Sequence, residues 1–423
     1  MNKEMAETLV RTGSGTRMGN LMRRYWVPIL LSREVAEPDG PQVRVQILGE
    51  KLLAFRDTEG KVGLIDEFCS HRGASLYFGR NEENGIRCAY HGLKFARDGR
   101  CTDVPSAPQA CKIMGIKAYP CIERAGVVWA YMGPKDKQPA PPEVEWCTLP
   151  ESHVFVSKRL QECNYLQAME GGIDTSHVSY VHRYEVDDDP MHQGTKANEY
   201  IKADGNVIFE IENTPFGLTL YGRRNGEPDS YYWRVTQWLF PWFTLIPPFG
   251  DHALGGHVWV PIDDHNCWAW SINFHPRKPL CTEERRHMED GKGIHCVYEP
   301  GTFRPLANKD NDYLIDRRAQ QEKRAYSGVF GFAIQDASLQ ESMGPIQNHA
   351  SEKLLPTDRA IVMARRFLYE AATSLEKDVE PPALDANQQR VRAAGVLLER
   401  GVRPQDWSKL HLADGLNQPV YTL

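Results

Sequence analysis

Long apolar runs are missing from this chain. The nearest approach to one, Tyr25 to Leu31, falls far short of the roughly 20 residues a membrane-crossing helix needs. Met1 to Arg11 mixes charge with short apolar pieces and has no basic start followed by an apolar stretch, so no secretory signal is read and a cytoplasmic setting is expected. Charge of one sign is also scarce. Fifty basic and 56 acidic residues leave a net charge of -6 with no basic stripe, which argues against nucleic acid or a membrane surface as partner. Internal repeats and low-complexity segments are absent, which excludes solenoids and extended disorder. A disulfide framework is not expected of ten cysteines in a cytoplasmic chain of 423 residues, so cysteines at special spacing are read first as metal ligands.

What is present is an ordinary globular composition, 41% hydrophobic and 25% charged, long enough for two or three packed cores. From Gln42 to Asp66 apolar and polar residues alternate around a turn at Asp57-Thr58-Glu59-Gly60, which predicts a β meander. Short strand-like runs continue through Gly85 to Arg97 and Gly126 to Met132. Gly133 to Glu145 carries four prolines and suits a linker, which divides the chain into residues 1–140 and 141–423. Beyond it, Asn164 to His182 reads as helical, and Asn206 to Ile246 and His257 to Phe274 return to period-two patterns rich in aromatics. Ile361, Ala364, Leu368, Ala371 and Leu375 fall at helical spacing behind Thr357, a candidate N-cap. The expected class is α+β: an all-β N-terminal domain, then an antiparallel sheet packed with helices.

Two constellations carry chemistry. Cys69-Ser70-His71 and Cys88-Ala89-Tyr90-His91 each offer one thiolate and one imidazole, with Gly73 and Gly92 behind the histidines for tight turns. Zinc fingers keep their cysteines together, whereas a Rieske [2Fe-2S] centre takes one Cys and one His from each of two loops. Replacing two thiolates with neutral imidazoles removes negative charge and raises the cluster potential to roughly −150 to +300 mV.

The second constellation is Asp174-Thr175-Ser176-His177 with His182. Two imidazoles and a carboxylate suit a mononuclear Fe(II) that must leave positions open for O2. In a regular helix His177 and His182 would lie about 140° apart, so a wide turn or break, of the kind seen as π-bulges, is expected between them. The bland alternative is a pair of helix-surface histidines. Asp174 is spaced to accept the second N–H of His177 and fix its tautomer.

These residues, in a β-rich domain opening with Arg24-Tyr25-Trp26-Val27-Pro28, resemble those of Rieske-type ring-hydroxylating oxygenases, the oxygenase component in particular. The motif Asp-x-x-His-x-x-x-x-His matches at Asp174, His177 and His182. The resemblance implies a Rieske cluster on Cys69, His71, Cys88 and His91 and a helix-grip catalytic domain. It also implies a mononuclear iron on His177, His182 and a downstream carboxylate. That carboxylate is assigned to Asp336 in Gln335-Asp336-Ala337-Ser338-Leu339-Gln340-Glu341, with Glu341 as the competing choice. The family further implies that Asp174 bridges to a cluster histidine of a neighbouring subunit, in a ring of three subunits or two stacked rings.

Arg11-Thr12-Gly13, Asn81 to Gly85, Asn311 to Asp316 and Glu341 to Pro345 resemble the phthalate dioxygenase group most. The resemblance therefore implies electrons from NADH through a flavin and iron–sulfur reductase, and cis-dihydroxylation of an aromatic carboxylate such as a phthalate. The group also includes O-demethylases and diaryl-ether dioxygenases. An aromatic carboxylate needs a buried cation, and the candidates are Arg223, Arg224 and Arg234, with Ser179 as a further polar contact. The aromatic run Trp233 to Phe243 is a candidate pocket wall, with strand core as its commoner role. No function is ascribed to the other eight cysteines.

Overall fold

The computed structural model describes residues 1–185, 189, 195–250 and 252–412. Two short helices, Lys3–Val10 and Arg17–Met22, lead into β1 (Trp26–Leu31). Next come β2 (Val43–Ile47), β3 (Glu50–Arg56) and β4 (Val62–Asp66), the meander expected from the alternation. A second small sheet holds β5 (Arg80–Glu82), β6 (Gly85–Arg87), β7 (Lys94–Ala96) and β8 (Cys101–Asp103). Then β9 (Ala118–Tyr119) joins the meander, while β10 (Cys121–Arg124) and β11 (Val127–Tyr131) pair with β1. All of these pairs are antiparallel.

The two smaller sheets enclose their own core of Leu53, Phe55, Ile65, Leu76, Ile86 and Phe95, with Cys69 and Cys88 at its edge. Phe55 and Phe95 are fully buried, each worth on the order of 2–3 kcal/mol of transfer free energy. That core fixes the loops above it.

After the proline-rich segment, one eight-stranded antiparallel sheet dominates. Its strands are β12 (Val154–Gln161), β13 (Ile208–Thr214), β14 (Gly217–Asn225), β15 (Ser230–Leu239), β16 (Phe243–Ile246), β17 (Leu254–Pro261), β18 (Cys267–Phe274) and β19 (Ala394–Glu399). The order is β12-β18-β17-β16-β15-β14-β13, and β15 pairs with β19 along its first half and with β16 along its second. One face of β15 carries Trp233 and Val235 into a core with Val396 and Leu398, and the other carries Arg234 and Thr236.

Helices Tyr165–Ile173, Phe332–Ser342 and Arg359–Leu375 pack near this sheet. Gly172 sits so close to β17 that a Cβ there would come 2.3 Å from the Trp259 ring. The N-terminal helices also pack here: Asn164 Nδ2 donates to Val10 O at 3.0 Å and Tyr165 OH to Leu9 O at 2.8 Å.

Two local expectations are corrected. The helix expected over Asn164 to His182 ends at Ile173, where Asp174 takes an extended backbone (φ -77, ψ 119). Of the wide turn or break expected between His177 and His182, the structure shows the break: a single 3-10 turn over His177–Ser179 ends at Tyr180, with Tyr180 N and Val181 N both donating to His177 O, at 2.8 and 2.9 Å. The other long helix starts at Arg359 with Asp358, not Thr357, at the N-cap. Pro356 opens a single 3-10 turn there that absorbs Thr357.

Candidate metal centres

The two cysteine loops are built alike. Cys69 N donates to Ala74 O at 2.9 Å and Gly73 N returns to Cys69 O at 2.9 Å; Cys88 N donates to Leu93 O at 2.7 Å and Gly92 N to Cys88 O at 3.0 Å. Both glycines hold positive φ, +73° and +76°, a conformation that a side chain would strain. The paired loops bury Cys69 and Cys88 to 3% exposure and leave His71 and His91 exposed, their rings 4.6 Å apart. Burial pushes the Cys69 thiol up, and the nearby Cys88 adds to the push. A buried thiol of this kind gives up its proton only to a bound cation. The donor set fits a two-iron cluster with the cysteines on the inner iron and the histidines on the outer.

The second centre gathers distant segments. His177 Nε2 and His182 Nε2 lie 3.5 and 3.3 Å from the same oxygen, Asp336 Oδ1, and one ligand atom from each residue falls within 4.8 Å of the others. Asp336 comes from the helix Phe332–Ser342, which begins after Gly331 and ends before Gly344, both at positive φ. Burial alone would raise the Asp336 carboxyl, yet the adjoining His182 and His177 hold it far below the usual carboxylate range. Burial would likewise lower the His177 imidazole, but Asp174 and Asp336 together raise it. The site is thus electrostatically suited to a cation, and its two nitrogens and one carboxylate fit a facial iron site.

Asp174 accepts from Ser176 N at 2.6 Å and His177 N at 3.3 Å, and its Oδ2 lies 3.5 Å from His177 Nδ1. The competing carboxylate, Glu341, points elsewhere. It accepts from Glu162 N at 3.0 Å and Tyr313 OH at 2.6 Å, five residues along the helix and out of line with the histidines.

A cavity opens beside this centre. Its walls include His177, His182, Asp336, Arg234, Ile246, Phe249, Trp259 and Phe332. Arg234 is buried to 3% exposure, with Nε donating to Thr175 Oγ1 at 3.0 Å, the guanidinium 4.9 Å from the Phe249 ring centre, and Nη1 without a hydrogen-bond partner.

The other substrate candidates lie elsewhere. Arg224 is buried behind the wall, donating to Thr175 O (2.7 Å), Ser179 Oγ (3.2 Å) and Asp204 O (3.0 Å); Ser179 is thereby engaged off the cavity. Arg223 projects from the opposite face of β14 over Tyr231, 4.3 Å from its ring centre. Strand alternation makes that division, since neighbours 223 and 224 cannot share a face. Most of the aromatic run Trp233 to Phe243 is core.

Sequence reasoning passed over Gln335 and Glu185. Gln335 Oε1 lies 2.7 Å from His182 Nδ1, and its Nε2 donates to Glu185 Oε2 at 2.6 Å. The signal available was the position of Gln335, one residue before Asp336.

Two family models match the chain: the Rieske [2Fe-2S] domain over residues 25–120 and the LigXa C-terminal domain like family over 130–421. Among curated relatives, the 3-chlorobenzoate-3,4-dioxygenase oxygenase subunit of Comamonas testosteroni is 38% identical over 90% of this chain and 91% of its own. The phthalate 4,5-dioxygenase oxygenase subunit of Pseudomonas putida is 35% identical, covering 87% and 85%. The tert-butanol monooxygenase / tert-amyl alcohol desaturase oxygenase subunit of Aquincola tertiaricarbonis is 44% identical, covering 86% and 75%. Of solved structures, dicamba monooxygenase bound to dicamba superposes with a TM-score of 0.58 at 19% identity, over 85% of this chain and all of that one.

Proposed function

This chain belongs to the Rieske oxygenases as an oxygenase component, and from that premise we propose that it dihydroxylates an aromatic carboxylate with O2 and electrons from NADH, delivered by a flavin and iron–sulfur reductase. When bound, the cluster passes electrons on and the iron activates O2. His177, His182 and Asp336 would hold that iron, and Cys69, His71, Cys88 and His91 the cluster.

The observation that carries the substrate reading is Arg234. It places a buried cation with an unpaired N–H on the wall of the cavity that also holds the iron residues. A guanidinium in that position recognises a carboxylate and orients the attached ring along the apolar wall of Ile246, Phe249 and Trp259. Closed around a ring, that wall excludes water from the oxidising site.

The test is NADH-driven O2 uptake with a reductase across phthalates, chlorobenzoates, phenoxybenzoates and methoxybenzoates. Arg234→Met should raise KM for the responding carboxylate about 100-fold, the scale of losing a buried charge partner. Turnover on neutral alcohols, untouched by that change, would overturn the carboxylate reading. The 44% identity to a tert-butanol monooxygenase subunit, and 28% identity to a 5,5'-dehydrodivanillate O-demethylase subunit, favour a second reading, monooxygenation or O-demethylation on the same metal residues. Mass spectrometry separates them: two added hydroxyls for dioxygenation, one added oxygen or lost formaldehyde otherwise.

Electron delivery is read as crossing between subunits of a trimer. Asp174, His177 and Asp336 border a second groove, lined by Val181, Leu339, Met343 and Leu354. Exposed His71 and His91, with Tyr90 (58% exposed) 4.0 Å from the His91 ring, form a surface suited to that groove in a neighbouring copy. No described helix is long and apolar enough to cross a membrane, and a cytoplasmic setting remains part of this proposal.

A further inference from the structure

We propose that Gln335 is a positioning residue for the iron site: its amide oxygen sets the tautomer and ring angle of His182, and Glu185 locks the amide. The inference rests on the reading of His177, His182 and Asp336 as iron ligands.

Gln335 is buried to 1% exposure, so its amide must find partners within the protein. Three groups meet it: Glu185 Oε2 at 2.6 Å, Val329 O at 2.9 Å and His182 Nδ1 at 2.7 Å. The carbonyl of Val329 can only accept, and an ionised Glu185 accepts as well. They must face the Nε2 hydrogens, which leaves Oε1 toward the imidazole and removes the usual ambiguity of an amide flip. An amide oxygen cannot donate, so His182 Nδ1 must carry the proton. In a neutral imidazole the lone pair then falls on Nε2, the atom 3.3 Å from Asp336 Oδ1. The ring is thereby committed to offering Nε2 to a metal before any metal arrives.

The same helix holds the ring on three sides. Phe332 stands edge-on to it with centroids 5.0 Å apart, Gln335 takes Nδ1, and Asp336 faces Nε2. Successive residues of a helix point about 100° apart, so positions 335 and 336 can bracket the two nitrogens of one ring. Glu185 closes the arrangement from the histidine side. Its other oxygen accepts from Gly331 N at 2.6 Å, at the start of that helix. Glu185 follows His182 by three residues, and Gln335 precedes Asp336 by one. The clamp therefore joins the two ligand-bearing segments, which lie 153 residues apart. His177 differs: it takes its partner, Asp174, from its own turn.

The test uses the full-length protein with its cluster, stripped of mononuclear iron and titrated with Fe(II). Gln335→Met keeps the side chain's length and removes the acceptor. It should weaken Fe(II) binding about 10 to 100-fold, leave the cluster's visible absorption unchanged, and alter the EPR spectrum of the ferrous–nitric oxide complex, which reports ligand orientation. Gln335→Glu alone should also weaken binding, because two carboxylates then meet where Gln335 and Glu185 now pair. Combining it with Glu185→Gln restores a donor–acceptor pair between the two side chains with their roles exchanged, leaving only Val329 O without its donor. The double variant should bind Fe(II) about tenfold more tightly than Gln335→Glu alone, a coupling that distant, independent sites do not show. A role in folding alone would not predict that rescue. Wild-type affinity and spectrum in Gln335→Met, or a double variant no better than Gln335→Glu, overturns the inference. An unaltered protein that takes up no mononuclear iron overturns the iron reading itself.

Discussion

The two candidate metal centres of this chain are built on opposite plans. The cluster site is local: Cys69 to His91 supplies both loops, each closed by the same pair of backbone hydrogen bonds and a left-handed glycine. Its cysteines are buried and its histidines face outward. The mononuclear site is assembled at a distance, with His177 and His182 on one segment and Asp336 on a helix far along the chain. Its orientation depends on side chains, Asp174 for one ring and Gln335 for the other. A site made of backbone hydrogen bonds within short loops is fixed as soon as its small sheets pair. A site made of distant side chains is fixed only when the large sheet and its helices have packed.

The comparison breaks most sharply under ligand deletion. Cys88→Ala should abolish the cluster's visible absorption and all NADH-driven turnover while leaving mononuclear iron in place. His177→Ala should do the reverse, keeping the absorption and losing the iron. Analysis of the unaltered protein should find about three irons and two acid-labile sulfides per chain, and stoichiometric zinc at the four cluster ligands would refute the assignment.

Asp174→Asn comes next. The amide keeps shape but loses the charge that orients and polarises the imidazole, so electron transfer should slow by orders of magnitude with both metals still bound. Rapid mixing of pre-reduced protein with substrate and O2 checks this, and normal cluster reoxidation at full iron occupancy would exclude a bridging role. Chelation should separate the centres more gently. A ferrous chelator should strip the cavity-lining iron reversibly and leave the buried-thiolate cluster intact, as iron analysis before and after Fe(II) return would read. The smallest effect is expected at Glu341. Glu341→Gln removes a carboxylate that serves Tyr313 and Glu162, so iron content should stay full while thermal unfolding shows a loss of about 1 kcal/mol, one hydrogen bond's worth.

Legibility in the sequence followed the same division. The paired loops could be read from Cys-x-His and Cys-x-x-His with their glycines, because every constraint on their geometry acts over a few residues. The meander and the sheet strands within Asn206 to Ile246 and His257 to Phe274 were legible from period-two alternation for the same reason. The helix through His182 was misread: helical composition continues past Ile173, but the Asp174 carboxylate caps the backbone N–H groups of Ser176 and His177 and so competes with helix continuation.

By itself, then, the sequence determined the paired Cys–His loops, the histidine pair with its neighbouring aspartate as candidate ligands, and the strands of the meander and of the stretches Asn206 to Ile246 and His257 to Phe274, but not β12 or β19. Only the tertiary structure decided which of Asp336 and Glu341 faces the histidines, which of three arginines reaches the cavity, and that Gln335 and Glu185 join two segments far apart in the chain. The reason is physical. Spacing along a chain encodes turns and faces through covalent geometry and short hydrogen bonds, whereas the meeting of Arg234 or Asp336 with a histidine pair depends on the register of β15 and the docking of a helix. Those are set by burial summed over the whole core rather than by any neighbouring residue.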